Sequence, residues 1–436
     1  MNKRNILFFV LTLLVFQAQA QENILITKAQ VLEKVAENNT SLKISEQGFE
    51  EARADFRQTN AIFLPNITAS HTAIATTNPL MAFGSKLNQE ILTQNDFNPL
   101  LLNDPSQIEN FATRFEIQQP LINADGIYQR KAAKTKMQAT EFQTQRTKEY
   151  LDFEVAKAYT QLQLAYKGVA VLEQALTAAE ANLKLANDNF KQGYLQRADV
   201  LAVEVRVTEV MNQLQTAKSN VANASNYLSF LMDDKTYVLY QPADSLQVNS
   251  LGLENQQAVS ENRADIKAME LASDAYRSMN LADKMTFLPR LNAFGSYELY
   301  DDEIFQAAAN GYTFGAQLSW DIFQGSKRFG KAQKSKATYQ KSVLEFENYK
   351  SKSQLELNKA NRMLTDSKNK LKLTKLALDQ SKESLRIRTN RFKEGLEKTA
   401  DLLLTETQYA QKQLEYYQTV FEYNYALSYV QFLTKQ

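Results

Sequence analysis

FKQGYLQRADVL, residues 190–201, places a glycine inside what otherwise reads as unbroken helix. RFKEGLEKTADLLL, residues 391–404, repeats the interruption. Phe190, Gly193, Asp199 and Leu201 return as Phe392, Gly395, Asp401 and Leu403, each 202 residues later. Before the first glycine, apolar residues fall at Leu151, Val155, Ala158, Leu162, Ala165, Val169, Leu172, Leu176, Ala179, Leu183, Ala186 and Phe190, in alternating steps of four and three. That is a heptad seam. Leu357, Leu364, Leu371, Leu378, Leu385 and Phe392 keep one position per heptad in the second copy. After Gly193 a new seam starts, at Val203, Val207, Val210, Leu214, Ala217, Val221, Ala224, Leu228 and Leu231. No proline stands between Pro120 and Pro242, or after Pro289. A helix over 126–192 would be roughly 100 Å long. A glycine that adopts the left-handed conformation ends a helix and lets the chain reverse. Each glycine therefore marks the tip of a long antiparallel helical hairpin, since a fresh heptad phase follows it.

The repetition extends through most of the chain. ENNTSLK (37–43) aligns with ENRADIK (261–267), NAIFLP (60–65) with KMTFLP (284–289), EIQQPLIN (116–123) with QLSWDIFQ (317–324), and KAAKTK (131–136) with KAQKSK (331–336). Each half reads as a helix, two strand-like stretches, a long helix, a glycine break and a return helix. The expected organisation is a leader over 1–20, a first repeat over 21–232, a linker over 233–260 and a second repeat over 261–436. The linker holds a short strand candidate at 236–240, and an insert rich in Asn, Pro and Leu runs from His71 to about Asn110.

Composition narrows the chemistry. The chain has 436 residues, with 50 Lys and Arg against 49 Asp and Glu, so it lacks the basic excess of a nucleic-acid binder. It has no Cys and a single His, His71, which excludes disulfides, thiolate chemistry and a multi-His zinc site within one chain. Lys3 and Arg4, an apolar run from Ile6 to Phe16 and Ala18-Gln19-Ala20 form a secretory leader cut after Ala20. No other stretch approaches the ~20 apolar residues of a membrane helix, so any membrane role falls to strands.

Four stretches carry period two, at about 66–77, 111–122, 291–300 and 312–322. Phe111, Thr113, Phe115, Ile117, Gln119 and Leu121 share one side of the second; Tyr312, Phe314, Ala316, Leu318, Trp320 and Ile322 share one side of the fourth. In the third, Leu291, Ala293, Tyr297 and Leu299 do so more loosely; in the first the alternation is weak. About ten alternating residues suit a tilted membrane strand, and equally a half-buried soluble sheet. Four strands cannot close a barrel, and bilayer-spanning strands must close. Two chains give eight strands, a barrel filled by its own side chains; three give twelve, which favours a conduit. Tyr297, Tyr300, Tyr312 and Trp320 suit either an interfacial belt or a core.

The duplication, Phe63-Leu64-Pro65 and Phe287-Leu288-Pro289 before strands, the strand ends Gln119-Pro120-Leu121 and Trp320-Asp321-Ile322, and the two glycine tips together resemble the outer membrane factor, or TolC-like, family. Asn262-Arg263-Ala264-Asp265-Ile266 is similar to the family's N-R-P-D-L stretch, with Ala264 in place of proline. The resemblance covers nearly all of the mature chain. It implies a mainly α fold with a transmembrane β-barrel: a homotrimer with one 12-stranded barrel in the outer membrane, an α-helical tunnel through the periplasm and an equatorial belt from 27–39, 233–260 and the C-terminal residues. It implies a passive exit duct for efflux or type I secretion, without cofactor, whose tips dock a periplasmic adaptor that connects to an inner-membrane pump. The adaptor-facing positions would be Gln192, Gly193, Tyr194, Leu195, Glu394, Gly395 and Leu396. Asp199 and Asp401 match positions that line the periplasmic mouth; an Asp there is also what a helix N-terminus favours. Some relatives lock the mouth with a tyrosine, an arginine and two aspartates. Phe392, Glu397, Asp401 and Leu404 stand at those places, so that lock does not carry over.

Two other classes compete. A periplasmic coiled-coil scaffold or adaptor would explain the heptads and the leader, but needs neither four alternating strands nor the duplication. An enzyme would need a constellation of catalytic groups, and no such cluster and no phosphate-cradling glycine motif is legible.

Overall fold

The computed structural model describes residues 23–236, 238–249 and 258–435. The leader expected over 1–20, and part of the linker, lie outside them. The elements run β1 (Asn23–Ile26), α1 (Lys28–Asn38), α2 (Thr40–Gln58), β2 (Asn66–Thr76), α3 (Pro79–Asn88), α4 (Pro99–Asn103), β3 (Ile108–Ile122) and α5 (Ala124–Lys191). There follow α6 (Arg197–Leu231), β4 (Leu239–Pro242), α7 (Ala264–Met285), β5 (Arg290–Asp301), β6 (Ala309–Ser319), α8 (Lys327–Lys393) and α9 (Thr399–Thr434). The described residues fall into two compact units, one drawn from 23–47, 142–266 and 348–435, the other from 48–141 and 267–347. Both draw on both halves of the duplicated sequence.

The second unit contains an antiparallel sheet in the order β2-β3-β5-β6. Its register sorts most of the side chains by polarity, the row His71–Thr113–Leu299–Asn310 being an exception. Rows such as Ala69–Phe115–Tyr297–Tyr312 and Ile67–Ile117–Gly295–Phe314 lie on one face. Thr68–Glu116–Ser296–Thr313 and Ser70–Arg114–Glu298–Gly311 lie on the other. One face is thus apolar; the other is polar and laced by Arg114, whose Nε is 3.3 Å from Glu298 and 3.7 Å from Glu116. Phe294, like Ile74, is an apolar residue on the polar face. It lies over Gly315, where a Cβ would come within 2.8 Å of its ring.

Four expectations need correcting. The fourth strand is β6, three residues earlier than alternation alone suggested, so Trp320 and Ile322 lie beyond it; Trp320 donates to the Phe287 carbonyl at 3.0 Å. Tyr300 belongs to the polar face with Glu298, not to an interfacial apolar belt, because strand parity fixes its side. The linker strand is β4, starting at Leu239 rather than Thr236, where pairing with β1 in parallel register begins. The insert proper is shorter than expected, since His71–Thr76 pair with Thr113–Ile108 within the sheet.

Both Phe-Leu-Pro stretches stop a helix ahead of a strand, as the proline ring requires. In the same unit the Arg130 guanidinium lies 5.7 Å from the Phe63 ring, and that of Arg328 lies 5.0 Å from Phe287. Arg290, at the start of β5, forms a two-pronged pair with Asp125 in the first turn of α5, at 2.5 and 3.1 Å.

The first unit holds the hairpins. Leu172 of α5 packs with Leu214 and Ala217 of α6, and Leu357 and Ala360 of α8 pack with Val430 and Leu433 of α9. Val31 and Val35 of α1 join Leu151, Val155 and Leu162 of α5 with Leu228 of α6 in the largest core cluster, and β1 and β4 lie against it.

Candidate functional site: the hairpin tips and the clasps that hold them

Both tips have the same backbone. Gly193 has φ +80° and Gly395 has φ +71°. The Gly193 N–H donates to Phe190 at 2.9 Å and the Tyr194 N–H to Asn189 at 2.9 Å. Gly395 donates to Phe392 at 3.0 Å and Leu396 to Arg391 at 2.9 Å. These are the paired bonds of a Schellman C-cap, which satisfies the last carbonyls of a helix and reverses the chain. A Cβ on either glycine would meet nothing within 4 Å, so the backbone angle alone demands glycine.

Of the tip residues singled out from sequence, Gln192, Gly193, Tyr194, Glu394, Gly395 and Leu396 are exposed; Tyr194 is 77% and Leu396 64% accessible. Leu195 differs. It turns inward onto Leu183, Ala186, Val200 and Val203, together with Leu403 of the second hairpin. Asp199 serves as a helix cap, its carboxylate accepting from the Gln196 N–H at 3.1 Å. Asp401 sits at the same position of α9 but caps nothing; its side chain is 47% exposed and 4.0 Å from Arg388.

The second tip has an ion-pair knot that sequence reading missed. Glu397 accepts from Arg388 at 2.7 Å and from Arg391 at 2.9 Å, and Arg391 also donates to the Leu396 carbonyl at 3.1 Å. The Arg391 hydrogen bond, with the charges of both arginines, holds the Glu397 carboxyl below its ordinary value. Above the tips, Glu406 of α9 accepts a short hydrogen bond from Asn182 of α5. Burial pushes its pKa up; the Asn182 bond and the Arg206 charge oppose this without cancelling it.

At the other end of the hairpins each repeat closes a clasp. Asn39 caps α2, accepting from Leu42 at 3.1 Å, and donates to the last-turn carbonyl of Leu231 at 2.8 Å. Its repeat mate is Arg263, and the mate of Leu231 is Leu433. Arg263 donates to the Leu433 carbonyl at 3.2 Å, to Ser353 at 2.7 Å, and to both Asp265 oxygens at 2.6 and 2.8 Å. Tyr349 also donates to Asp265, at 2.6 Å. Burial disfavours the Asp265 charge, but the bonds from Arg263 and Tyr349 and the charge of Arg146 outweigh it, and its pKa is lowered. Tyr349 is pushed up to about 12, by burial first and by Asp265 second. Alignment identified the pair Asn39 and Arg263; only the fold shows that both grip a return helix.

Among the described residues no group of three or more His, Asp or Glu could hold a metal ion, and no helix is long and apolar enough to cross a membrane.

The family model for outer membrane efflux proteins matches residues 31–233 and 256–431. No curated protein matches in sequence. Solved structures match in fold. CusC is 16% identical, with a TM-score of 0.80 over 96% of this chain and 95% of its own. The CmeC outer membrane channel of Campylobacter jejuni is 15% identical, with 0.79 over 96% and 90%. The open-state MtrE outer membrane channel of Neisseria gonorrhoeae is 16% identical, with 0.77 over 93% and 88%. The family match excludes both the enzyme and the periplasmic scaffold. A duplicated chain with two glycine-tipped hairpins and a two-faced sheet of four strands is thus a member of the outer membrane efflux protein family, a TolC-like channel protein of the outer membrane.

Proposed function

We propose that three copies of this chain form a passive exit duct for efflux or type I secretion. The observation that carries this reading is the sheet. β2 and β6 are its edges, one face is apolar and the other is charged. Unpaired strand edges are not tolerated in hydrocarbon, so β6 of one copy would pair with β2 of the next. Three copies make twelve strands, with the apolar rows toward lipid and the Arg114–Glu298 rows toward a water-filled interior. The hairpins would continue as a helical tunnel in the periplasm.

The tips would dock a periplasmic adaptor, through which an inner-membrane pump supplies the energy. Gln192, Tyr194, Glu394 and Leu396 would make the contact, around backbone turns set by Gly193 and Gly395. Leu195 would support the first tip from inside. Of the two candidate mouth carboxylates, Asp401 is the freer to act on passing ions, because Asp199 is engaged as a cap.

The absence of native Cys allows a direct test of the seam. Cysteines at Thr68, Ser70 or Thr72 on β2, each combined with Thr313→Cys on β6, are oxidised in the membrane. At the matching register the ladder should end at a covalent three-chain species. A ladder that stops at two chains, or continues past three, contradicts the proposed closure.

A further inference from the structure

α8 carries nineteen Lys and Arg against six Asp and Glu, in a chain whose net charge is +1. Within the first unit, residues 348–393 hold thirteen basic and four acidic side chains; their mates at 146–191 on α5 hold six of each. The fold therefore does not need the excess, since the same helix in the other repeat does without it. The excess is also ordered. Lys368, Lys372, Lys375, Lys382, Arg386 and Lys393 are spaced by four, three, seven, four and seven residues, which keeps them on one flank of a heptad helix. All six are exposed. Lys375 pairs with Asp379 at 3.1 Å and Arg386 with Glu383 at 2.7 Å, whereas among the described residues Lys368, Lys372, Lys382 and Lys393 have no carboxylate within 4.0 Å. Glu173 and Glu180 stand on α5 at the mates of Lys375 and Lys382, so the charge is reversed between the repeats.

The direction of this flank follows from its continuation. Gln354, two heptads before Lys368, accepts from the linker N–H of Val259 at 3.1 Å. On α5 the mates of Asn361, Thr365 and Lys368 are Tyr159, Gln163 and Tyr166. Tyr159 donates to the Ile26 carbonyl at 3.1 Å, Gln163 to Asp244 at 3.0 Å, and Tyr166 to the Tyr240 carbonyl at 3.2 Å. The flank is thus the one that β1, β4 and the linker cover. In a duct, three copies of those segments on the lumen side would obstruct it, so this flank faces outward. The stripe starts at Lys368 and continues for 25 residues toward the Gly395 tip, about 37 Å.

We infer that the stripe is a docking track for an acidic helical face of a periplasmic partner, lying along α8. The inference rests on the trimeric-duct reading and gives its partner a surface and a charge. A straight row at heptad spacing matches carboxylates repeated at three and four residues on another helix. The anionic cell wall is a layer spread across the duct axis, and it would be met by a ring of charge rather than a row along one helix. Only the second repeat carries the row, so partners would dock at three positions around a trimer rather than six. Attraction of this kind speeds encounter and weakens with salt.

A photo-crosslinking amino acid at Thr389, between Arg386 and Lys393 on the stripe, tests this in the full chain in its own cells. The expected product joins a protein through a peptide of helical pattern with Asp or Glu every three or four residues. Its yield should fall at least tenfold in Lys368→Glu/Lys375→Glu/Lys382→Glu, and the probe at Asn187, the mate of Thr389, should give none of it. An unchanged yield in the charge-reversed protein overturns the proposal. So does attachment only to wall fragments released by muramidase or to the chain itself, or no product at all. The native mass of the same extracts separates this failure from that of the duct: a trimer that forms no product removes the track and leaves the duct standing.

Discussion

Gly193 and Gly395 are required by backbone conformation, because the space around a Cβ is open at both. A β-branched residue there must take a left-handed conformation, which costs about 1–2 kcal/mol. Gly395→Val is therefore expected to lower unfolding stability by about that much, and Gly395→Asn by clearly less, in denaturant titrations. Arg263 is held more firmly. Arg263→Ala leaves Asp265 buried with half its partners removed, an expected loss of about 3–5 kcal/mol. Lysine should not restore it, because it cannot make the two-pronged contact. The two perturbed carboxyls act with opposite sign. Asp265 has a lowered folded-state pKa, so its contribution is complete above the unfolded value and is lost as pH falls through the folded one. Glu406 has a raised value, so its contribution is complete below the unfolded value and is lost as pH rises through the folded one. Glu406→Gln should accordingly be more stable than the parent at pH 7, with the difference closing toward pH 4 in thermal melts. Of these residues the sequence disclosed the glycines, because an interrupted heptad is visible in one dimension. Glu406 and the Arg388–Glu397–Arg391 knot were not legible, since their partners lie on other helices or across the turn and no local pattern selects them.

At the scale of elements, the hairpins were the most legible part. The heptad seams of α5 and α6 are buried where the steps of four and three place them, as at Leu162, Leu172, Val210 and Leu228. The strands were legible in parity but not in their ends. β6 starts at Ala309 because Tyr300–Ala309 pairing with β5 begins there, a contact that alternation alone does not reveal. β2 read weakly because Ala69, Ala73 and Ala75 are small on the apolar face, and Ile74 interrupts the polar one. Parity makes a sharp prediction. Phe115→Arg puts a charge on the apolar face and should cost about 2–4 kcal/mol in lipid if it lies near the bilayer centre. Ser296→Arg, on the opposite face, should leave folding into vesicles close to the parent.

For the whole molecule, the duplication explains why one chain makes the same turn twice. Each repeat supplies a strand pair and a hairpin, and each closes its own clasp, with Asn39 on Leu231 and Arg263 on Leu433. The repeats then diverge in charge along their long helices, which distinguishes otherwise similar hairpins. The central claim is that these parts become a channel only when chains share one barrel. Native mass spectrometry of the full-length protein, extracted from outer membranes in mild detergent, tests it most directly. A stable three-chain species is the predicted result; a monomer, or a species of two or four chains, would contradict the account.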